Sequence, residues 1–190
     1  GTGICRGIAL ALAAHGCDVA ITSRSADHLE PTADEIRAKG RRAVAVPADV
    51  RDPAAVEAAV TRTVEELGGL DILVNGAAGN FLCLAEQLSP NGFGAVVDID
   101  LKGTFHCSKA ALPHLKKNGG VVLNISATLH YLGTPAQLHV ASAKAGVDAL
   151  TRVLAVEWGP YGIRVNGIAP GPIADTEGVR RLLDDAAKQR

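Results

Sequence analysis

Five short apolar runs alternate along the chain with longer segments of helical periodicity. The runs predict strands at residues 18–22, 42–47, 71–75, 120–125 and 163–168. Helices are predicted between them, ending near residues 15, 39, 67, 117 and 158, with a loop at 126–137 and a short helix after Thr176. Continuously apolar strands joined by helices are typical of a parallel sheet covered on both faces. The sequence therefore predicts one doubly wound α/β domain over residues 1–190.

The same pattern predicts that the chain is a fragment. It has no methionine, begins at Gly1-Thr2-Gly3 and ends in a charged helix. No strand precedes the first helix, although the first strand is central in the 3-2-1-4-5-6 order of such a sheet. We therefore expect the first strand and a C-terminal segment to be missing. Expressed alone, the chain is expected to fold poorly and to be inactive, because buried N–H and C=O groups of the neighbouring strands would go unpaired.

Composition argues against several classes of protein. Apolar residues make up 47% and charged residues 21% of the chain, as in an ordinary soluble globular domain. The net charge is −1 and the basic residues are scattered, so the sequence shows no basic patch suited to nucleic acid. No apolar run is long enough to cross a membrane. Four cysteines lack metal-type spacing and are interpreted as buried thiols in a reducing compartment: Cys5, Cys17, Cys83 and Cys107.

Glycines and small polar residues gather at the predicted carboxyl ends of the strands. These positions are Ser23, Arg24, Asp49, residues 75–81, Ser126, Pro170, Gly171 and Pro172. In doubly wound sheets, ligands bind at this edge. The sequence therefore predicts a cofactor site there.

A dinucleotide suits this edge for two reasons. Gly1-Thr2-Gly3 precedes a helix N-terminus, where backbone N–H groups and the helix dipole favour a pyrophosphate. The strand at 18–22 is followed by Ser23-Arg24-Ser25, without the acidic residue that binds a free ribose hydroxyl. An arginine pairs well with a 2′-phosphate, which favours NADPH. The alternative for Arg24 is a solvated loop charge.

One lysine is suitably placed for cofactor contact on the predicted helix 138–158. Val147, Leu150, Leu154 and Trp158 form the apolar stripe of this helix, and Lys144 lies on a different side among small residues. Small neighbours leave room for a flat or polar group to approach closely. The alternative is a solvated surface lysine, the commonest state of lone lysines.

Taken together, these motifs resemble the short-chain dehydrogenase/reductase family over essentially the whole chain. The matching segments are Gly1-Thr-Gly-Ile4, Asp49-Val50, Asn75-Gly-Ala-Ala78, Asn124-Ile-Ser126, Ala141-Ser-Ala-Lys144 and Pro170-Gly-Pro172. The resemblance implies a Rossmann fold with NADPH bound along the strand ends. The residues that it implies in cofactor contact are Gly1, Gly3 and Ile4 at the pyrophosphate turn, Arg24 and Ser25, Asp49 and Val50 at adenine, Asn75 and Ala77 along the middle, Lys144 at the nicotinamide ribose, and Pro170, Gly171 and Ile173 at the nicotinamide.

The chain departs from the family pattern where a proton is transferred. Val140 stands four residues before Lys144, where the family usually has a catalytic tyrosine. Tyr131 lies thirteen residues before Lys144 and is interpreted as a loop aromatic. Without a phenol to donate the proton, ordinary alcohol–ketone interconversion is disfavoured.

Three further departures accompany it. Ala127 stands at the family's usual serine, Asp100 at a typical asparagine, and Cys5 at the third glycine of the first turn. The cysteine is tolerable if the first helix packs slightly further out. The alternative for Asp100 is a carboxylate that caps a helix kink or pairs with Lys102.

One branch of the family, the 2,4-dienoyl-CoA reductases, lacks the tyrosine. The chain resembles the peroxisomal type of this branch at residues 75–81, 98–100, 142–144 and 171–178, whereas the mitochondrial type has a tyrosine at what is here Leu129. The resemblance implies NADPH-dependent reduction of a dienoyl-CoA thioester to a trans-3-enoyl-CoA in the β-oxidation of unsaturated fatty acids. It also implies a homo-oligomer, usually a tetramer, that is peroxisomal in a eukaryote and cytoplasmic in a bacterium.

The branch implies three catalytic residues: Asn80, Asp100 and Lys144. Asn80 is expected to donate to the thioester oxygen, and Asp100 to orient a proton-donating water. The Lys144 cation is expected to hold Asp100 towards its ionised form.

Two other functions stay open. One is an atypical reductase of another enoyl or carbonyl substrate, and the other is an NADPH-binding protein without turnover. The histidines at 106, 114, 130 and 139 show no metal spacing and are interpreted as structural or exposed. For His139, next to Val140, a position facing the substrate also stays open.

Overall fold

The computed structural model describes residues 3–173 and 176, and within them it forms five parallel strands. They are β1 (Val19–Ser23), β2 (Ala43–Pro47), β3 (Ile72–Asn75), β4 (Gly120–Ile125) and β5 (Ile163–Ile168). Each agrees with the predicted strand to within one residue at either end. The predicted α/β class is thus confirmed.

Helices connect the strands on the expected pattern. They are α1 (Gly3–Ala14), α2 (Glu30–Arg37), α3 (Pro53–Leu67), α4 (Pro90–Val97), α5 (Gly103–Leu115), α6 (Leu129–Leu132) and α7 (Leu138–Trp158). A π-helical turn, Asp98–Lys102, joins α4 to α5. The loop predicted at 126–137 contains α6, so that prediction was wrong in part: a helix of one turn is too short to show a period. The helix predicted after Thr176 lies outside the described residues.

The strands form two parallel sheets in the described part of the chain. One pairs β1 with β2, and the other has the order β3-β4-β5. These two orders fit the portions of a doubly wound sheet that flank its central strand. β1 and β3 each have one edge without a strand partner among the described residues, and Ile72 on β3 is 37% exposed. The burial expected on both faces is therefore incomplete at this edge.

The predicted stripe of α7 does pack on the second sheet. Val147 and Trp158 are buried, and Trp158 joins a cluster with Val122 of β4 and Ile163 of β5. Fully burying such side chains stabilises a fold by about 1.5–3 kcal/mol each. This packing fixes the N-terminal half of α7 beside the carboxyl end of β4. None of the helices within the described ranges has the length and apolar character needed to cross a membrane.

Candidate active site

A buried ion pair lies at the carboxyl end of β4. Lys144 Nζ is 3.2 Å from Asp100 Oδ2, and it donates a hydrogen bond to the Ile125 carbonyl oxygen at 2.9 Å. Asp100 Oδ1 accepts a hydrogen bond from the Gly79 N–H at 2.7 Å. Asp100 is 0% and Lys144 5% exposed. The solvated alternative for Lys144 is thereby excluded.

Two local features bring these side chains together. The π turn at 98–102 presents Asp100 inward. Gly146 lets α7 approach that turn, because a Cβ at this position would lie 2.7 Å from Leu101 Cδ2. The alternative pairing of Asp100 with Lys102 is also excluded, since Lys102 Nζ lies 2.7 Å from Asp98 Oδ1.

The charge expected for Asp100 requires a correction. Burial raises the pKa of Asp100, and this effect outweighs the opposing effects of Lys144 and the Gly79 N–H. The expected effect of Lys144 is present, since Lys144 lowers the pKa of Asp100, but burial outweighs it. Removal from water disfavours the charged form more than the neighbouring cation favours it. Asp100 consequently holds a proton more readily than an exposed aspartate does.

The position of the usual tyrosine lies in an apolar cluster. Val140 is 4% exposed and packs with Val96 and Ala143. Tyr131, the tyrosine nearby in sequence, is 63% exposed, and its hydroxyl donates to Asp148 Oδ2 at 2.5 Å. Tyr131, predicted to be a loop aromatic, lies in the one-turn helix α6, so its predicted placement in a loop was wrong, and its ring is exposed.

The two predicted asparagines lie in different environments. Asn80 Oδ1 accepts a hydrogen bond from the Phe81 N–H at 2.9 Å, and none of the described residues accepts one from the Asn80 amide nitrogen. Asn75 is buried, and its amide nitrogen donates to Asn124 Oδ1 and to Ser108 Oγ. The Asn75 amide nitrogen therefore ties β3 to β4 and α5.

One apolar cavity is lined by residues that were predicted at the pyrophosphate turn and at the nicotinamide. Ile4, Pro170 and Ile173 line a space of about 450 Å³ between α1 and the ends of β4 and β5. Gly3 begins α1 with φ +60°, a left-handed conformation that favours glycine. Gly1 lies outside the described residues, and Ala77 and Gly171 are exposed.

Cys5 is accommodated by a glycine on the facing strand end. A Cβ on Gly76 would lie 2.2 Å from Cys5 Sγ, so only glycine leaves room for the thiol. The outward shift of α1 expected for this substitution is therefore not needed at Gly76. Cys5, Cys17, Cys83 and Cys107 are free and half-buried, and burial raises the pKa of Cys107 to about 11.

The residues predicted at the adenine end lie at the ends of β1 and β2. Arg24 is exposed, and with Arg51 it helps to lower the pKa of Asp49 to about 2, chiefly through the Arg51 hydrogen bonds. Arg24 makes no ion pair with a described residue, which leaves its charge available. Ser25 is half-buried, and its carbonyl oxygen accepts a bond from Ser23 Oγ. Val50 packs at Gly103, where a Cβ would lie 2.6 Å from Val50 Cγ2.

One polar residue of this site, His139, is buried although the sequence pattern did not predict its burial. His139 is 0% exposed, its ring lies 4.3 Å from that of Phe81, and the charge of Asp100 acts on it. Its position beside Val140 was the only available signal, because burial depends on α4, the π turn and the loop at Phe81 together.

Comparison with known proteins agrees with this geometry. The chain matches, over residues 1–189, the family described as enoyl-(acyl carrier protein) reductase. It is 50% identical over 184 residues to a peroxisomal 2,4-dienoyl-CoA reductase, (3E)-enoyl-CoA-producing, of Danio rerio, covering 96% of this chain and 61% of that protein. A protein with the same description in Arabidopsis thaliana is 46% identical, covering 100% of this chain and 67% of the relative.

A solved structure is similar as well. The crystal structure of a short chain dehydrogenase from Bacillus anthracis superposes with a TM-score of 0.85 at 44% identity, covering 90% of this chain and 72% of that one. The chain thus spans about three fifths to two thirds of the two curated relatives described above.

Proposed function

The chain belongs to the short-chain dehydrogenase/reductase family, and on that premise we propose that the complete protein is an NADPH-dependent 2,4-dienoyl-CoA reductase. One observation carries the proposal: the site combines the buried Asp100–Lys144 pair with Val140 at the position of the usual tyrosine. Such a site has a carboxyl group but no phenol from which to supply a proton. The two relatives described above, both (3E)-enoyl-CoA-producing by name, support the same substrate class.

The described residues fit NADPH at both of its ends. Gly3 at the start of α1 suits a pyrophosphate, and the unpaired Arg24 suits a 2′-phosphate. The apolar cavity bounded by Ile4 and Ile173 suits the face of a nicotinamide ring. Lys144 would hold the nicotinamide ribose through its ammonium group. When bound, NADPH supplies a hydride to the δ-carbon of the dienoyl thioester.

Two side chains of this protein would handle the charge that results. The electron pair displaced from the diene moves to the thioester oxygen, where the Asn80 amide nitrogen donates a hydrogen bond; in comparable sites such a donor contributes roughly 3–4 kcal/mol to the transition state. The α-carbon then takes a proton from a water bound at Asp100, which leaves the double bond between the β- and γ-carbons. The water regains a proton from Asp100, and solvent reprotonates the carboxylate. The raised pKa of Asp100 supports this relay.

The deciding experiment measures NADPH oxidation by the full-length protein with 2,4-hexadienoyl-CoA, followed by identification of the product. We expect turnover and a 3-enoyl-CoA. Turnover only with other enoyl or carbonyl substrates would instead indicate an atypical reductase. Tight NADPH binding without any turnover would indicate a non-catalytic binding protein.

We further propose that the complete protein assembles with copies of itself. Exposed apolar side chains on α5 and α7 support this, namely Phe105 at 48%, Val153 at 52% and Val156 at 78% exposure. Apolar groups of this size tend to be covered at subunit interfaces. Light scattering of the full-length protein and of Val156→Glu gives the test, with a smaller assembly expected for the variant.

A further inference from the structure

His139 is a polar residue in a position that otherwise suits an apolar one. It is the second residue of α7, is fully buried, and lies against the Phe81 ring. Neither ring nitrogen has an aligned hydrogen bond to any described residue. A buried donor or acceptor that stays unpaired destabilises the fold. A side chain that only filled this space would be more stable as leucine or phenylalanine.

The surroundings of His139 define which hydrogen bonds remain to be made. Burial lowers the pKa of His139, against smaller opposing effects of the Phe81 backbone and of Asp100, so the ring is neutral at neutral pH. A neutral imidazole carries one N–H donor and, on its other nitrogen, a lone pair that can accept a hydrogen bond.

Asp100 Oδ2 is a second buried atom of the site that lacks a hydrogen bond to any described residue. Asp100 Oδ1 is occupied by the Gly79 N–H, whereas Oδ2 has only its ion pair with Lys144 and no aligned hydrogen bond among the described residues. Asp100 and His139 both contact the short loop at 79–81, Asp100 through the Gly79 N–H and His139 through the Phe81 ring. One water between Asp100 Oδ2 and the His139 nitrogen would satisfy both atoms, since buried waters typically make two to four such bonds.

We propose that His139 is a positioning residue for proton transfer, holding with Asp100 Oδ2 the water that protonates the α-carbon of the substrate. This inference rests on the proposed function. The water accepts from the protonated Asp100 carboxyl and donates one hydrogen to His139. Its other hydrogen is thereby aimed at the substrate. Without His139, no acceptor fixes which hydrogen of the water points at the substrate. The water therefore adopts the productive orientation less often.

The test compares two replacements of His139 in the full-length protein with 2,4-hexadienoyl-CoA. His139→Phe removes both ring nitrogens, and we expect kcat to fall about 10- to 100-fold, in line with the cost of misplacing a reacting group. NADPH affinity and the KM for the thioester should stay within about threefold of the wild-type values. The substitution does not change interactions that are made equally in the ground state and the transition state. His139→Gln keeps an acceptor and should recover most of kcat. The solvent deuterium isotope effect on kcat should rise in His139→Phe as protonation becomes slower.

His114→Phe is the matched control. His114 is a half-buried histidine on α5 whose Nδ1 also has no partner among the described residues, and it lies near the opposite end of β4 from the site. Its replacement should leave kcat unchanged.

Each other outcome overturns the inference. An unchanged kcat in His139→Phe excludes a role in proton transfer, and equal losses in the phenylalanine and glutamine variants indicate packing alone. If His139→Phe does not fold, His139→Leu takes its place, and loss of NADPH binding in both apolar variants indicates a structural role. Absence of dienoyl turnover in the wild type would overturn the proposed function and this inference together. Wild-type turnover with an unimpaired His139→Phe would overturn only the inference.

Discussion

Lys144 Nζ and Asp100 Oδ2 lie 3.2 Å apart, with their side chains 6% and 0% exposed. Because both side chains are removed from water, the protonation state of each depends on the other. The pair therefore links α7 to the π turn, so that a change in one partner affects both chemistry and stability.

Asp100→Asn should lower kcat by about 100-fold, because the amide has no proton to relay. It should also lower the melting temperature, since the Lys144 cation loses its buried partner. Asp98→Asn is the control in the same turn, where the ion pair with Lys102 is partly exposed. Steady-state kinetics with dienoyl-CoA and thermal melts measure both effects. An Asp100→Asn enzyme with wild-type kcat would contradict the proposed relay.

Tyr131→Phe should leave kcat unchanged, although tyrosine is the usual proton donor of this family. The Tyr131 hydroxyl is engaged with Asp148, and the side chain is 63% exposed. The loss of that hydrogen bond should lower the melting temperature slightly. Steady-state kinetics of Tyr131→Phe provide the measurement. Tyr161→Phe, a change at another exposed tyrosine, is the control. A large fall in kcat confined to Tyr131→Phe would assign the proton to this phenol instead.

Arg24→Ala should weaken NADPH binding by about tenfold or more while leaving NADH binding unchanged, since only NADPH carries the phosphate that pairs with this charge. Fluorescence titration with both cofactors measures the ratio. Arg62→Ala is a suitable control, because Arg62 is an exposed arginine paired with Glu66 on α3. Equal weakening for both cofactors would show that Arg24 does not read the 2′-phosphate.

His139 should make the protein less stable as the pH falls below about 6.5, the usual pKa of histidine. Its pKa is lowered in the folded protein, so below that pH the unfolded chain binds more protons than the folded one. The raised pKa of Asp100 acts in the opposite direction, and Lys144 faces the same space. The difference in unfolding free energy between wild type and His139→Leu isolates the histidine. We expect that difference to shift in favour of the variant between pH 7.5 and 5.5; a constant difference would contradict the lowered pKa.

Local patterns were sufficient to predict the strands and the long helices. β4 and β5 begin and end at the predicted residues, because their apolar runs are bounded by glycines and a polar loop. The π turn and α6 were missed, since neither a wide turn nor a single helical turn leaves a period in the sequence. The strand order within each of the two sheets, β1-β2 and β3-β4-β5, agrees with the sequence prediction.

The sequence predicted which residues form the site better than it predicted their pKa shifts. Asp100 and Lys144 were expected to lie together, and they do. The direction of the Asp100 pKa was not predictable, because the depth of burial results from the packing of α7 against the π turn through Gly146. The same holds for the Asn75 side chain, whose partners come from β4 and α5.

The π turn at 98–102 limits which insertions and deletions this segment tolerates. A π turn contains one more residue than an α turn would, and successive residues of an α-helix are rotated by about 100°. Deleting Ile99 alone would let α4 and α5 merge into one regular helix and swing the carboxylate away from α7. The geometry at Asp100 is thus encoded by the number of residues between the two helices, so a length change here would disable the site while keeping every one of its side chains.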